Sequence, residues 1–250
     1  MFINLKQLTS KYIKASDGEL GRVKDVYFDD RYWTTRFLVV DTHAWLPLSQ
    51  KVLLSPIALF KFHVDDAEIK VSMTKEMVEN CPKVEEQETV SREFEKRYFD
   101  YFGYGYYWAG ESAWGDYHYP GALTNRDMLS HAVIQKTEIE KTNHLRSADE
   151  IQDYDVEEID GSKGHVHDFI LDTYDWSLKY IVIDTRNWLP GGKKVLITPK
   201  QVDGISWESR TVKCKLSIQD IDVCPEYEPD KLNDTEYRAK VTQDAKRLKS

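Results

Sequence analysis

Short runs of β-branched and aromatic residues, four to six positions long, alternate along this chain with polar or proline-bearing breaks. That is the pattern of short strands joined by turns. In the first part it predicts strands over residues 23–28, 37–41, 51–54, about 59–64, and 69–73, separated by DDRYWTT, AWLPLSQ and VDDA. The same pattern returns later, with strands predicted over 166–171, 180–184, 194–197, 202–207 and 212–216. Asp17 to Pro56 aligns with Asp160 to Pro199 without a gap, at an offset of 143 positions. The shared frame is DG-x-x-G-x-V-x-D-x-x-x-D-x-x-x-W-x-x-x-x-x-V-x-DT-x-x-WLP-x-x-x-KVL-x-x-P, a tandem duplication. Upstream of it, Phe2, Leu5, Leu8 and Ile13 match Leu145, Ala148, Ile151 and Val156, so each unit begins near Phe2 or Leu145.

Five or six short strands per unit are too few for covered open sheets, which favours curling into a small closed or nearly closed barrel. Thr74 and Ser217 read as N-caps of short helices ending before Cys81-Pro82 and Cys224-Pro225. New start signals at Ser91 and Asp234 predict a closing helix for each unit, over about 92–102 and 235–248. The expected organisation is a first β domain over 1–82, a helix and aromatic-rich linker over 83–144, a second β domain over 145–225, and a helical tail over 226–250. The fold class is mainly β, with two small barrels related by a pseudo-twofold.

Between the units, residues 98–119 contain eleven aromatic side chains and four glycines, with no counterpart after the second unit. Such rings cover a seam between barrels, or form a sticky surface for another molecule. Tyr101, Tyr104, Tyr106, Tyr107, Trp108 and Trp114 are the candidate protein-binding residues. No Lys or Arg interleaves them, which argues against stacking on single-stranded nucleic acid.

This frame resembles the PRC-barrel family, named for the cytoplasmic domain of the photosynthetic reaction centre H subunit and shared with a bacterial ribosome-maturation factor. The resemblance rests on the DG-x-x-G-x-V-x-D turn and strand, the VVDT and VIDT strands, and KVLLSP and KVLITP, across most of 2–82 and 145–225. Tyr98 to Trp108 is similar to the tyrosine- and glycine-rich segment of free-standing bacterial tandem members. The resemblance implies two all-β barrels, docking roles and no known enzymatic activity. The membrane-anchoring helix of the reaction-centre subunit and the extra domain of the maturation factor have no equivalent in this sequence.

The net charge of −9 disfavours a broad nucleic-acid surface, and no apolar run reaches the length of a membrane span. With no secretory signal pattern at the start, a cytoplasmic location is expected. Cys81, Cys214 and Cys224 lack metal-ligand or disulfide spacing and read as packing residues. His165 and His167 stand two apart on a strand, but Arg22 and Lys24 occupy the same places in the first unit, so a solvated strand face is expected. The pairs Asp25/Asp29 and Asp168/Asp172 lack the dense oxygen spacing of a calcium loop.

Asp17, Gly18, Gly21, Asp41, Trp45 and Pro47, with Asp160, Gly161, Gly164, Asp184, Trp188 and Pro190, are expected to shape turns and strand ends. No catalytic, cofactor or metal residue is expected, and no nucleophile has a readable partnered base. The resulting expectation is a non-catalytic protein-binding or scaffold module, associating with itself or with another protein. The alternatives are an RNA-processing or ribosome-assembly factor, and a small-ligand or metal sensor using a groove between the barrels.

Overall fold

A computed structural model describes residues 1–42, 50–85, 89–125, 145–159, 161, 163–186 and 192–247. In chain order, β1 (Phe2–Asn4) leads into α1 (Leu5–Thr9), then β2 (Tyr12–Ala15), β3 (Gly18–Asp29), β4 (Thr34–Asp41), β5 (Gln50–Leu54) and β6 (Glu68–Lys70). The helix α2 (Lys75–Asn80), β7 (Val84–Glu85) and α3 (Arg92–Phe102) complete the first part. Then come β8 (Leu145–Ser147), α4 (Ala148–Ile151), β9 (Asp155–Glu157), β10 (Lys163–Asp172), β11 (Leu178–Asp184), β12 (Lys194–Ile197), β13 (Val202–Ser206) and β14 (Thr211–Cys214), followed by α5 (Ile218–Asp222) and α6 (Thr235–Arg247). The chain is mainly β, in two seven-stranded sheets ordered β6-β2-β3-β4-β5-β7 and β12-β11-β10-β9-β14-β13, with one further strand added to each. Among the described residues no helix is long and apolar enough to cross a membrane.

The registers carry the repeat into the backbone. Val26 faces Leu38 and Leu38 faces Leu54 in one sheet; Phe169 faces Ile181 and Ile181 faces Ile197 in the other. Even the irregularities coincide: the register slips between Val23 and Asp25 and again between Val166 and Asp168. A bulge kept at equivalent positions bends both long strands at the same point.

The added strands trade places. β1 pairs with β10, Phe2 opposite Asp172, whereas β8 pairs with β3, Leu145 opposite Asp29. Each copy of the repeat therefore supplies its opening strand to the sheet of the other copy. The chain accordingly forms two compact units, one of residues 1–6, 148–172 and 178–250, the other of 7–147 and 173–177.

The expected barrel closure is corrected: among the described residues no sheet closes into a barrel. Short segments cover sheet ends instead. In the 7–147 unit β5 pairs with β7, while Leu59 and Phe60 join Val71 and Lys70 beside β6. In the other unit residues 225–227 run along β12, through Leu196 N to Pro225 O and Tyr227 N to Lys194 O, both 2.8 Å. Covering an edge removes the same unpaired backbone groups that closure would remove.

In the 7–147 unit, α3 starts where Ser91 Oγ accepts the Phe94 amide at 3.1 Å, and it stops at Gly103, left-handed at φ 67°. Its buried Phe94, Tyr98 and Phe99 meet Phe37 of β4 edge-on, at 6.4, 5.2 and 6.3 Å. In the other unit Phe2, Ile170, Tyr180, Val182, Leu196, Tyr227, Leu232 and Val241 form the matching core, with Tyr237 of α6 against it. At the hairpin tips Trp33 and Trp176, equivalent in the repeat, both adopt positive φ, 51° and 58°. Trp33 stacks on Phe28, and Trp176 is buried beside Phe62.

Candidate functional site

The aromatic segment belongs to the 7–147 unit and is built around a buried cation. Arg36, on β4, has no exposed surface. Its guanidinium lies 3.7 Å from the Tyr107 ring centre and 4.8 Å from that of Trp114. Nη2 donates to Asp29 Oδ2 at 3.1 Å, and Nη1 donates to the Ala113 carbonyl. Trp114, 1% exposed, donates its indole N–H to the Asp175 carbonyl at 2.7 Å. A charge removed from water needs a paired, hydrogen-bonded partner, and rings on its flanks stabilise it further.

A second ion pair lies behind Tyr107. Glu95 accepts the Tyr107 hydroxyl proton at 2.6 Å and pairs with Arg92 at 2.7 Å, while Arg92 also donates to the Tyr107 oxygen at 2.8 Å. Burial pushes the Glu95 carboxyl up to about 7, against the pull of Arg92, Tyr107 and Arg36. It likewise pushes the Tyr107 hydroxyl well above its usual range. The segment then folds on itself: a Cβ on Gly110 would lie 2.3 Å from the Gly115 carbonyl carbon, so only glycine fits.

The six candidate binding residues divide into two groups. Tyr104, Tyr107 and Trp114 are buried at 6%, 3% and 1% exposure and hold the segment down. Tyr101, Tyr106 and Trp108 reach solvent. Tyr106 and Trp108 stack at 4.7 Å and 15°, with the Arg92 guanidinium 4.3 Å from the Trp108 ring and the Tyr106 hydroxyl donating to Asp100 at 2.6 Å. Tyr101 donates to the carbonyl of Met77, itself exposed. Exposed Tyr119 and Tyr174 form another pair at 6.0 Å. Met77, Tyr174 and Arg36 escaped the sequence reading. The signal for Arg36 was visible as a charge inside the apolar run TTRFLVVD.

Asp17 accepts the Lys75 amide at 2.9 and 3.2 Å at the start of α2. Gly18, Gly21 and Gly161 have φ of 150°, 139° and 81°, and Gly164 pairs with Val156. Asp184, fully buried, accepts from the Arg186 amide at 3.0 Å and its Nε at 2.8 Å. Burial alone would raise its pKa, but the bonds and charge of Arg186 hold it below the usual range. Asp41, by contrast, is exposed at the end of β4. Trp45, Pro47, Asp160, Trp188 and Pro190 lie outside the described residues.

Asp25 and Asp168 serve the traded strands. Asp25 accepts from Ser147 Oγ at 2.6 Å, and Asp168 from the Leu5 amide at 3.0 Å. Burial raises Asp168 to about 6.

His167 faces Lys194, with Nε2 and Nζ 2.8 Å apart, and is lowered by burial and then by that lysine. His165 Nε2 lies 3.9 Å from Asp184. Among the described residues no group of three metal-ligating side chains converges. Cys81, Cys214 and Cys224 are buried, and burial pushes their thiols up to about 11, 11 and 12. That suppresses the thiolate. An open depression of about 490 Å³ in the 148–250 part is lined by Glu157, Glu158, Asp203, Lys213 and Lys215, beside Ile159 and Cys214. No family model matches the chain, and no curated protein matches it.

Proposed function

We propose that this protein is a non-catalytic protein-binding or scaffold module made of two PRC-barrel-like units, and that it associates, with itself first, through the outer aromatic face of the 7–147 unit. The observation that carries this reading is the Tyr106–Trp108 stack, partly exposed yet backed by Arg92 and anchored through buried Tyr107 and Trp114. Rigid Tyr and Trp side chains present large contact area at small entropic cost, which is what binding anchors need. The non-catalytic reading is supported by the burial of all three thiols, which disfavours the reactive thiolate.

The test replaces Tyr106→Ser and Trp108→Ser together and leaves Tyr107 in place, because Tyr107 is core. Light scattering across a dilution series should show a lower associated mass than the parent protein. An unchanged mass, with circular dichroism intact, counts against the aromatic face.

A further inference from the structure

The traded strands point to a second copy of this chain as a partner, by a route separate from the aromatic face. The seat for β1 is fully built. Asn233 clamps Phe2 from both sides, accepting its amide and donating to its carbonyl, each at 2.8 Å. Asn4 donates to the Tyr227 hydroxyl at 2.8 Å, Leu5 N to Asp168 at 3.0 Å, and the amino terminus pairs with Asp172 at 3.1 Å. Phe2 packs edge-on against Tyr180. The seat for β8 is built alike, with Ser147 on Asp25 and Arg146 Nε on Asp30, both 2.6 Å.

Every one of these bonds joins a residue of one repeat to a residue of the other. None requires the two repeats to lie on the same chain, since between Asn125 and Leu145 their covalent link is the stretch 126–144.

We propose that two copies of this chain form a dimer by reciprocal strand exchange, in which repeat one of each molecule trades its opening strand with repeat two of the other. The one-chain and two-chain forms make the same strand pairings and differ in connectivity, which is the condition under which swapping costs least. Joining the repeats on one chain gives them a high effective concentration for each other. The dimer therefore gains as protein concentration approaches that value, on the order of millimolar for short connections.

The experiment uses the full chain with Phe2→Cys and Asp172→Cys. Directly opposed antiparallel residues have Cα atoms about 4.5–5.5 Å apart, within the range a disulfide spans. The three native thiols are buried and stay silent. Protein is refolded from denaturant at about 1 μM and at about 500 μM, oxidised, and run on a non-reducing gel. The expected result is an intrachain cross-link at the lower concentration and a covalent dimer enriched several-fold at the higher. A second pair, Asp29→Cys with Leu145→Cys, reads the other sheet and covers the case in which the loss of Phe2 prevents folding. Intrachain cross-links alone at both concentrations, or no cross-link in folded protein, overturn the proposal. Adding Tyr106→Ser and Trp108→Ser separates the two routes: aromatic-face association is lost, while the cross-linked dimer persists.

Discussion

Replacing Gly21 by alanine tests the strand bend on which the first sheet turns. Gly21 has φ 139°, and a Cβ there would lie 1.8 Å from the Asp41 carbonyl oxygen and 2.8 Å from its carbon. The obstacle is backbone, held by the Arg22–Asp41 register of β3 and β4, so it cannot swing aside as a flexible side chain would. Positive φ in this region costs a non-glycine residue about 1–3 kcal/mol. Forcing a methyl into a filled site adds about 1–3 kcal/mol. The less flexible unfolded chain returns about 0.4–1 kcal/mol. The net expected loss is roughly 1–5.5 kcal/mol. Gly103→Ala is the control: φ is 67°, but nothing lies within 4 Å of the added Cβ, so the left-handed strain of about 1–2 kcal/mol, less the same return from the unfolded chain, acts without a clash. Urea unfolding of both variants, analysed at a common slope, gives the difference. If Gly21→Ala loses no more stability than Gly103→Ala, the close approach to Asp41 is not what selects glycine there.

Asp168→Asn should flatten the pH dependence of stability. The folded pKa of about 6 lies above the unfolded one, so this group's stabilisation is complete below about pH 4 and is lost as pH rises through 6, on the order of 3 kcal/mol. Denaturation midpoints at pH 4, 5, 6 and 7 check it; equal slopes in parent and variant would contradict it. Trp114→Ala should cost about 3–5 kcal/mol, because the side chain is buried against Arg36 and bonded to Asp175, and thermal unfolding will show whether it does. Ser91→Ala removes the cap of α3 and should lower stability by about 1 kcal/mol in urea titration.

The strands and closing helices were legible because each rests on local chemistry. The β12 span was read residue for residue, and α3 from its Ser91 cap to Phe102 before Gly103. The span 59–64 was not a strand: Pro56 to Ala58 forms a 3-10 turn, and Leu59 makes only an isolated bridge. Its alternation carried no sign that pairing would stop after one residue. β1 and β8 were missed because FIN and LRS are three residues long, too short for any periodicity. Their trade between sheets depends on partners more than 130 positions away in sequence for β1, and on nothing local. The aromatic segment was recognised by composition, but composition could not say which rings face inward. That was decided by Arg36, whose charge needed rings on its flanks.

Trp33 and Trp176 show what the fold values at its corners. Glycine at either tip would relieve about 1 kcal/mol of left-handed strain, yet at position 176 it would delete a buried indole whose removal from water is worth several times more, and at position 33 it would delete the stack on Phe28. A turn profile that expects glycine or asparagine at such a corner passes over this unit. An indole in a left-handed hairpin tip, opposite a bulged long strand, is the more telling fingerprint by which other copies of the module can be sought.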